Sequence, residues 1–376
     1  MHKQEEKVIK IDVKGTILDR LYGFNHSKID FHFRQNANDF VVDEVPLYEF
    51  SNDGEHLVLH VRKKNLSTFE LVNILAKYLN IKQKEIGYAG LKDKNALTYQ
   101  YISIHKKYEE QLDSFSHPQI KIISKTYHNN KIRTGHLKGN KFFIRVKKVN
   151  PTDAKKIDEV LNKIKTYGMP NFFGYKRFGN DGDNHILGEK IAKGEKKERN
   201  PKLKKLLISA YQSHLFNLWL SKRIELSKLI ESFNENELES LLNLPKQEIK
   251  NLKKQSHPFK IFSGDLMQHY PFGRLFEFDN QEDYKRFIQK DIAPTGLLCG
   301  KRVKKATEFA REFEKSFDEE INADGQRRYA WIFPGEVSGN YKSQEAWYEF
   351  NFFLPKGSYA TVLLEEIAKK EMKQNI

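Results

Sequence analysis

The sequence holds a single cysteine, Cys299, in 376 residues, so an intramolecular disulfide is impossible and a multi-cysteine zinc site is excluded. Long apolar runs are missing as well. No uninterrupted stretch approaches the roughly 18 residues that a membrane span needs, and Met1 to Lys10 is charged, without the apolar core of a secretory signal. A phosphate loop is absent too. Ala293 to Arg302 approaches one, but it has one residue too few between Gly296 and Gly300, and Arg302 stands where Ser or Thr must hold magnesium. That excludes an NTPase. No glycine-rich cofactor loop follows a strand, which argues against a methyltransferase, and there is no internal repeat or low-complexity segment. A cytoplasmic protein without membrane contact is the expectation.

Positive charge and aromatic rings are present in excess. Sixty-five Lys and Arg against fifty Asp and Glu give +15 at neutral pH and a pI near 9.4, which suits a polyanionic partner such as nucleic acid. The plain alternative is a Lys-rich solvated surface. Twenty-seven Phe and 17 Tyr, with basic clusters at separate points, favour nucleic acid, because aromatic faces stack on unpaired bases. The chain is long for one core, so two domains are expected.

Lys28 to Phe33, Phe40 to Val45 and His56 to Val61 alternate like the strands of a meander. Ser67 with Glu70 forms a capping box that opens a helix. Asn150-Pro151 opens another, which Gly168 closes. Pro170 to Gly179 packs four aromatics beside Lys176 and Arg177, and Lys193 to Lys205 is the densest basic run of the chain. That run reads equally as a solvated linker or as a phosphate-contacting strip. A long helix is predicted from Leu206, with His214 on its apolar face as a core histidine. Residues 221 to 290 read as mainly helical, and Tyr329 to Phe333 as an aromatic strand. Trp347 to Leu354 and the helix after Thr361 are expected to complete the first domain's sheet.

The stretch with the clearest chemistry is Gly87 to Gln100. It places Asp93 between Lys92 and Lys94 in a glycine-bounded loop ahead of a strand at Thr98 to Ile104. Neighbouring positive charge favours the carboxylate, a good state for a nucleophile or proton acceptor. The bland reading is an exposed turn. Further on, Gly139-Asn140-Lys141-Phe142 reads as a turn in which Asn140 either caps the backbone or reads a uracil edge.

Taken in order, these segments resemble the TruD family of tRNA pseudouridine synthases along nearly the whole chain. The Gly, Lys, Asp, Ala, Thr and Gln of the first loop match the family signature. Other matches are Asn38 to Val42 with Glu44, Gly139-Asn140 with Phe142, Pro170 to Gly174 with Arg177 to Gly179, Thr295-Gly296 with Gly300, and Leu354-Pro355 with Gly357-Ser358 and Ala360-Thr361. The resemblance implies an α+β fold. Its catalytic domain, residues 1–168 and 330–376, would have a mixed, largely antiparallel sheet flanked by helices, interrupted by an inserted α+β TRUD domain at 169–329.

It further implies isomerisation of a tRNA uridine, at position 13, to pseudouridine, with Asp93 as catalyst and neither cofactor nor metal. Phe40, Asn140 and Tyr359 would surround the flipped base, joined by Phe142 and by Lys92, which is expected to pair with Asp93 or a phosphate. Lys176, Arg177, Lys196, Lys197, Arg199, Lys204, Lys205, Arg327 and Arg328 are the candidates for the RNA backbone, and a monomer is expected. A non-catalytic RNA-binding protein on the same scaffold is the rival reading. Whether Asp93 attacks the ribose, attacks the ring or abstracts a ribose proton is left open by the residues.

Overall fold

The computed structural model describes residues 20–242, 244–279 and 281–372; the charged stretch Met1 to Lys10 lies outside them. In chain order the elements are β1 (Phe40–Pro46), β2 (His56–Lys64), α1 (Thr68–Tyr78), β3 (Gly87–Tyr88), β4 (Leu97–His105), α2 (Glu109–Asp113), β5 (Ile120–His128), β6 (Leu137–Lys147) and α3 (Pro151–Tyr167). Then come β7 (Met169–Pro170), α4 (Asn184–Ala192), α5 (Pro201–Ser232), α6 (Glu235–Leu242), α7 (Lys246–Lys254), β8 (Leu266–His269), β9 (Leu275–Glu277), α8 (Gln281–Ile288) and β10 (Ile292–Leu298). The chain ends with α9 (Glu308–Glu314), β11 (Gln326–Tyr329), β12 (Trp331–Ile332), β13 (Gly335–Lys342), β14 (Trp347–Pro355) and α10 (Ala360–Ala368). Among the described residues two compact units form, one from 28–165, 334–360 and 371–372, the other from 20–27, 166–333 and 361–370.

The first unit is built on an eight-stranded mixed sheet, ordered β13-β14-β6-β1-β4-β2-β5 with β3 beside β4; only β1 and β4 pair in parallel. The expected meander is therefore corrected. β4 separates β1 from β2, and Lys28 to Phe33 contributes only an isolated bridge from His32 to Lys147. Alternation tells which face of a strand is buried, but not which strand lies beside it. The caps behave as their residues predict. Ser67 and Glu70 make the reciprocal capping box of α1, and Asn150 Oδ1 accepts from Asp153 N–H at 2.8 Å to start α3. Helix α1 buries Leu71, Val72 and Leu75 against Leu57, Leu59 and Val61 of β2 and Ile102 and Ile104 of β4.

The turn expected at Gly139 is also corrected, because Gly139 and Asn140 lie inside β6, opposite Val45 and Glu44 of β1. Crowding, not a turn, requires this glycine. A Cβ there would fall 2.2 Å from the Leu354 carbonyl oxygen and 2.4 Å from the Phe353 ring. Gly139→Ala should therefore lower stability by about 1–3 kcal/mol, measurable as a shift of the urea midpoint at unchanged slope.

The second unit centres on α5, which starts at Pro201, five residues earlier than predicted, because Asn200 Oδ1 caps Lys202 and Leu203 N–H at 3.0 and 3.3 Å. The stretch 221–290 is not wholly helical: β8 and β9, of four and three residues, form a hairpin too short to show a period. The aromatic strand at 329–333 is split, β11 pairing with β10 and β12 with β7. Helix α10 belongs to this unit and not with the sheet that β14 joins. Its Glu366, fully buried, accepts from Gly23 and Phe24 N–H at 3.1 Å each. His214, expected as a core histidine, is partly buried; burial and the His185 ring 4.2 Å away push it down to about 4. Cys299 is buried, and burial pushes its thiol up to about 12. No helix among the described residues is long and apolar enough to cross a membrane.

Candidate active site

Strand register assembles one face of the sheet. Val42 of β1 lies opposite Thr98 of β4 and Phe142 of β6; Glu44 lies opposite Asn140, and Asn140 and Phe142 lie opposite Leu354 and Phe352 of β14. Alternate residues of a strand share a face, so Phe40, Val42, Glu44, Asn140, Phe142 and Phe352 point the same way. Thr98 and Gln100 join them from β4, and Lys63, opposite Thr98, from β2. Asp39 fixes the start of β1 by bonding Asn36 Nδ2 at 2.9 Å and pairing with Lys147 at 2.8 Å and Arg145 at 3.3 Å.

The Asp93 loop leaves β3 and returns into β4, and it is held at four points. Lys92 N–H donates to Thr68 Oγ1 at 2.9 Å, and that hydroxyl donates to Gln100 Oε1 at 3.1 Å. Lys94 Nζ bonds Glu70 Oε1 at 2.9 Å. The fully buried Lys63 donates from Nζ to the Asp93 carbonyl oxygen at 3.2 Å and to that of Leu66. Burial pushes Lys63 down to about 8, against the opposing pull of the Asp93 charge. The fourth point is Lys92 itself. Its Nζ lies 2.6 Å from Glu44 Oε2 and donates to Asn140 Oδ1 at 2.6 Å, with the Lys92 and Glu44 side chains 4% and 1% exposed. Lys92, expected to pair with Asp93 or a phosphate, is paired with Glu44, because a carboxylate as enclosed as Glu44 requires a cation in contact.

Asp93 and Asn140 are half-buried, and Asn140 is thus tied to the residue beside Asp93 through Lys92. The Phe40 ring is 2% exposed and lies among Phe33 and Phe142 at centroid distances of 6.2 and 6.0 Å, while Phe142 stacks on Phe352 at 5.4 Å. These rings form a rigid aromatic floor. Tyr359, half-buried, follows β14 after a turn at Gly357 (φ 84°), anchored where Lys356 N–H donates to the Lys138 carbonyl at 3.1 Å. That turn lies at the end of β14 where Leu354 and Pro355 face Asn140 and Gly139. Sequence reasoning missed Glu44 as the partner of Lys92, and it missed Lys63 and Thr68. The available signal was a charged residue on the inward phase of an otherwise apolar strand, as in Phe40-Val42-Glu44 and Leu59-Val61-Lys63.

The family model of tRNA pseudouridine synthase D (TruD) matches residues 19–199 and 197–367. The chain belongs to the TruD family. It is 66% identical over 356 residues to the tRNA pseudouridine synthase D of Sulfurimonas denitrificans, covering 94% of this chain and 100% of that protein. A relative of the same name from Helicobacter pylori is 47% identical over 370 residues, covering 94% and 97%. In fold the chain is similar to the crystal structure of a putative TruD from Methanosarcina mazei, with a TM-score of 0.63 at 21% identity over 93% of this chain and 96% of that one.

In this TruD chain the basic candidates, all in the second unit, divide into two groups. Lys176, Lys196, Lys197, Arg199, Lys204 and Lys205 are exposed. The other three, Arg177, Arg327 and Arg328, are engaged internally. Arg177 donates to Ser213 Oγ at 3.0 Å and to Ser209. Arg327, with its side chain 6% exposed, pairs with Glu314 and bonds Thr295 Oγ1 and O at 3.1 and 2.7 Å. Arg328 donates to Asn171 O and Oδ1 at 3.0 and 2.9 Å and lies 3.9 Å over the Phe173 ring. Arg327 and Arg328 thus brace β11 against β10 and the Asn171–Phe173 segment.

Proposed function

We propose that this chain is a tRNA pseudouridine synthase, an isomerase that converts a uridine of tRNA, at position 13, to pseudouridine, acting as a cytoplasmic monomer. The observation that carries the reading is the clamp that ties the Asp93 loop to Asn140 through Lys92, itself paired with the buried Glu44. The reaction breaks the bond from C1′ to N1, turns the base and forms a bond from C1′ to C5. The C5 proton is lost and N1 gains one, so there is no net redox change. Such chemistry calls for one carboxylate, a pocket that holds a loose base in register and an edge contact that follows its rotation. Asp93 supplies the carboxylate. Because Oδ1 of Asn140 accepts from Lys92, its amide meets the base as a donor through Nδ2, suited to a uracil carbonyl. Tyr359 supplies a stacking face, and Phe40 and Phe142 belong to the aromatic floor of the sheet. Stacking and edge bonds offset the few kcal/mol that extruding the base costs.

The test is to incubate the purified protein with unmodified tRNA, without added cofactor, and to map pseudouridine. Product at position 13 is expected, and its absence overturns the reading. The exposed lysines of the second unit would carry the phosphate contacts. Reversing charge at Lys196, Lys197, Lys204 and Lys205 should weaken tRNA binding and lower the slope of log affinity against log salt by roughly one for each phosphate no longer neutralised. Binding titrations at several salt concentrations check this.

A further inference from the structure

We infer that Phe69 and Leu91 form a stacking subsite for the unpaired nucleobase next to the target uridine. The inference rests on the reading of Asp93 as the uridine site. Leu91 and Phe69, at 61% and 58%, are the most exposed large hydrophobic residues among those described. Phe69 is not part of the core face or cap of the helix that carries it. The core face of α1 is Thr68, Leu71, Val72, Leu75 and Ala76, and its cap is Ser67 with Glu70, so a polar residue at position 69 would serve the helix as well.

The two segments that carry them are nevertheless bonded to each other. The bond from Lys92 N–H to Thr68 Oγ1, 2.9 Å long, joins the residue after Leu91 to the residue before Phe69. The bond from Lys94 to Glu70 repeats the tie on the other side. The Tyr88 ring supports Phe69 edge-on, at 6.4 Å and 84°. Both exposed residues thus stand on segments that are already tied, the loop that carries Asp93 and the helix bonded to it, and little backbone ordering is left to be done on binding.

Size and charge select the occupant. One Phe and one Leu offer a patch far below the roughly 800 Å² per partner of a stable protein interface, but ample for the face of one base. Lys94, its side chain 59% exposed and paired with Glu70, the residue after Phe69, suits the phosphate of the same nucleotide. Stacking of a base on an aromatic side chain tolerates any base, so the subsite would add affinity and little sequence preference.

The test uses the full chain and tRNA carrying 2-aminopurine at each neighbour of the target uridine in turn, together with tRNA abasic at the same positions. Binding to wild type should quench 2-aminopurine at one of the two positions, and wild type should bind the tRNA abasic there about tenfold more weakly than native tRNA. Phe69→Ala/Leu91→Ala should lose the quench and about tenfold in affinity for native tRNA, match wild type on the abasic tRNA, and recover with Phe69→Trp. Equal losses on native and abasic tRNA, or no quench at either position, would overturn the subsite, as would a change from dimer to monomer with RNA affinity unaltered. Quench and affinity do not depend on turnover. A wild type that quenches but makes no pseudouridine would therefore refute the catalytic reading and leave the subsite standing.

Discussion

Asp93→Asn should lower pseudouridine formation by at least about 10⁴-fold, the scale seen when a nucleophile or general base is removed, while leaving the thermal midpoint within a few degrees of wild type. The expectation rests on how the loop is held. Its ties to the rest of the unit run through the backbone and through neighbours: Lys92 N–H to Thr68, Lys92 Nζ to Glu44 and Asn140, Lys94 to Glu70, and Lys63 to the Asp93 carbonyl. An amide of the same size leaves these ties in place, so the variant should keep the fold of the loop while losing the charge and the nucleophilic oxygen. Single-turnover assays with excess enzyme separate this from weakened tRNA binding. A residual rate within about tenfold of wild type would move catalysis to another residue, and a lost thermal transition would show that the carboxylate holds the loop as well.

The same loop shows how far the residues can be read in advance. Local signals suffice wherever one residue acts on its near neighbours. The Ser67–Glu70 box, the Asn150-Pro151 start of α3 and the alternation of β4 and β14 each appear where their residues place them. Partners distant in sequence are not legible. Nothing in the run Phe40 to Val45 says that β4 and not β2 lies beside it, and nothing in Gly139-Asn140 tells a turn from a strand whose glycine admits a neighbouring carbonyl. Arg327 and Arg328 are ambiguous for a related reason. A basic pair beside aromatics fits a phosphate contact and a brace between segments equally well in one dimension, and the brace shows only in the positions of Glu314, Thr295 and Asn171. Lys63 and Glu44 carry a sharper clue: a charge on the inward phase of a buried strand demands a partner, and here both lead to the Asp93 loop.

Lys92→Met should be the most destabilising of these changes, costing about 3–5 kcal/mol, the usual consequence of breaking a buried ion pair by removing one partner. Methionine keeps the length and apolar volume of the lysine stem, so the loss reports the ammonium and not a cavity. Glu44, its side chain 1% exposed, would keep the N–H of Tyr101 at 3.2 Å but lose the cation that compensates its charge. Glu44→Gln/Lys92→Met removes both charges together and should regain most of the lost stability, since an isosteric neutral pair is often as stable as the ions it replaces. A double-mutant cycle from urea denaturation should give a coupling above about 1 kcal/mol; a Lys92→Met cost below that figure would mean that the pair is not what secures the loop. Activity should not return with stability. In the neutral pair Asn140 loses the ammonium that fixes which end of its amide faces the base, and the residue beside Asp93 loses its tether to β1 and β6. A stable, inactive double variant would separate what the pair does for the fold from what it does for the uridine.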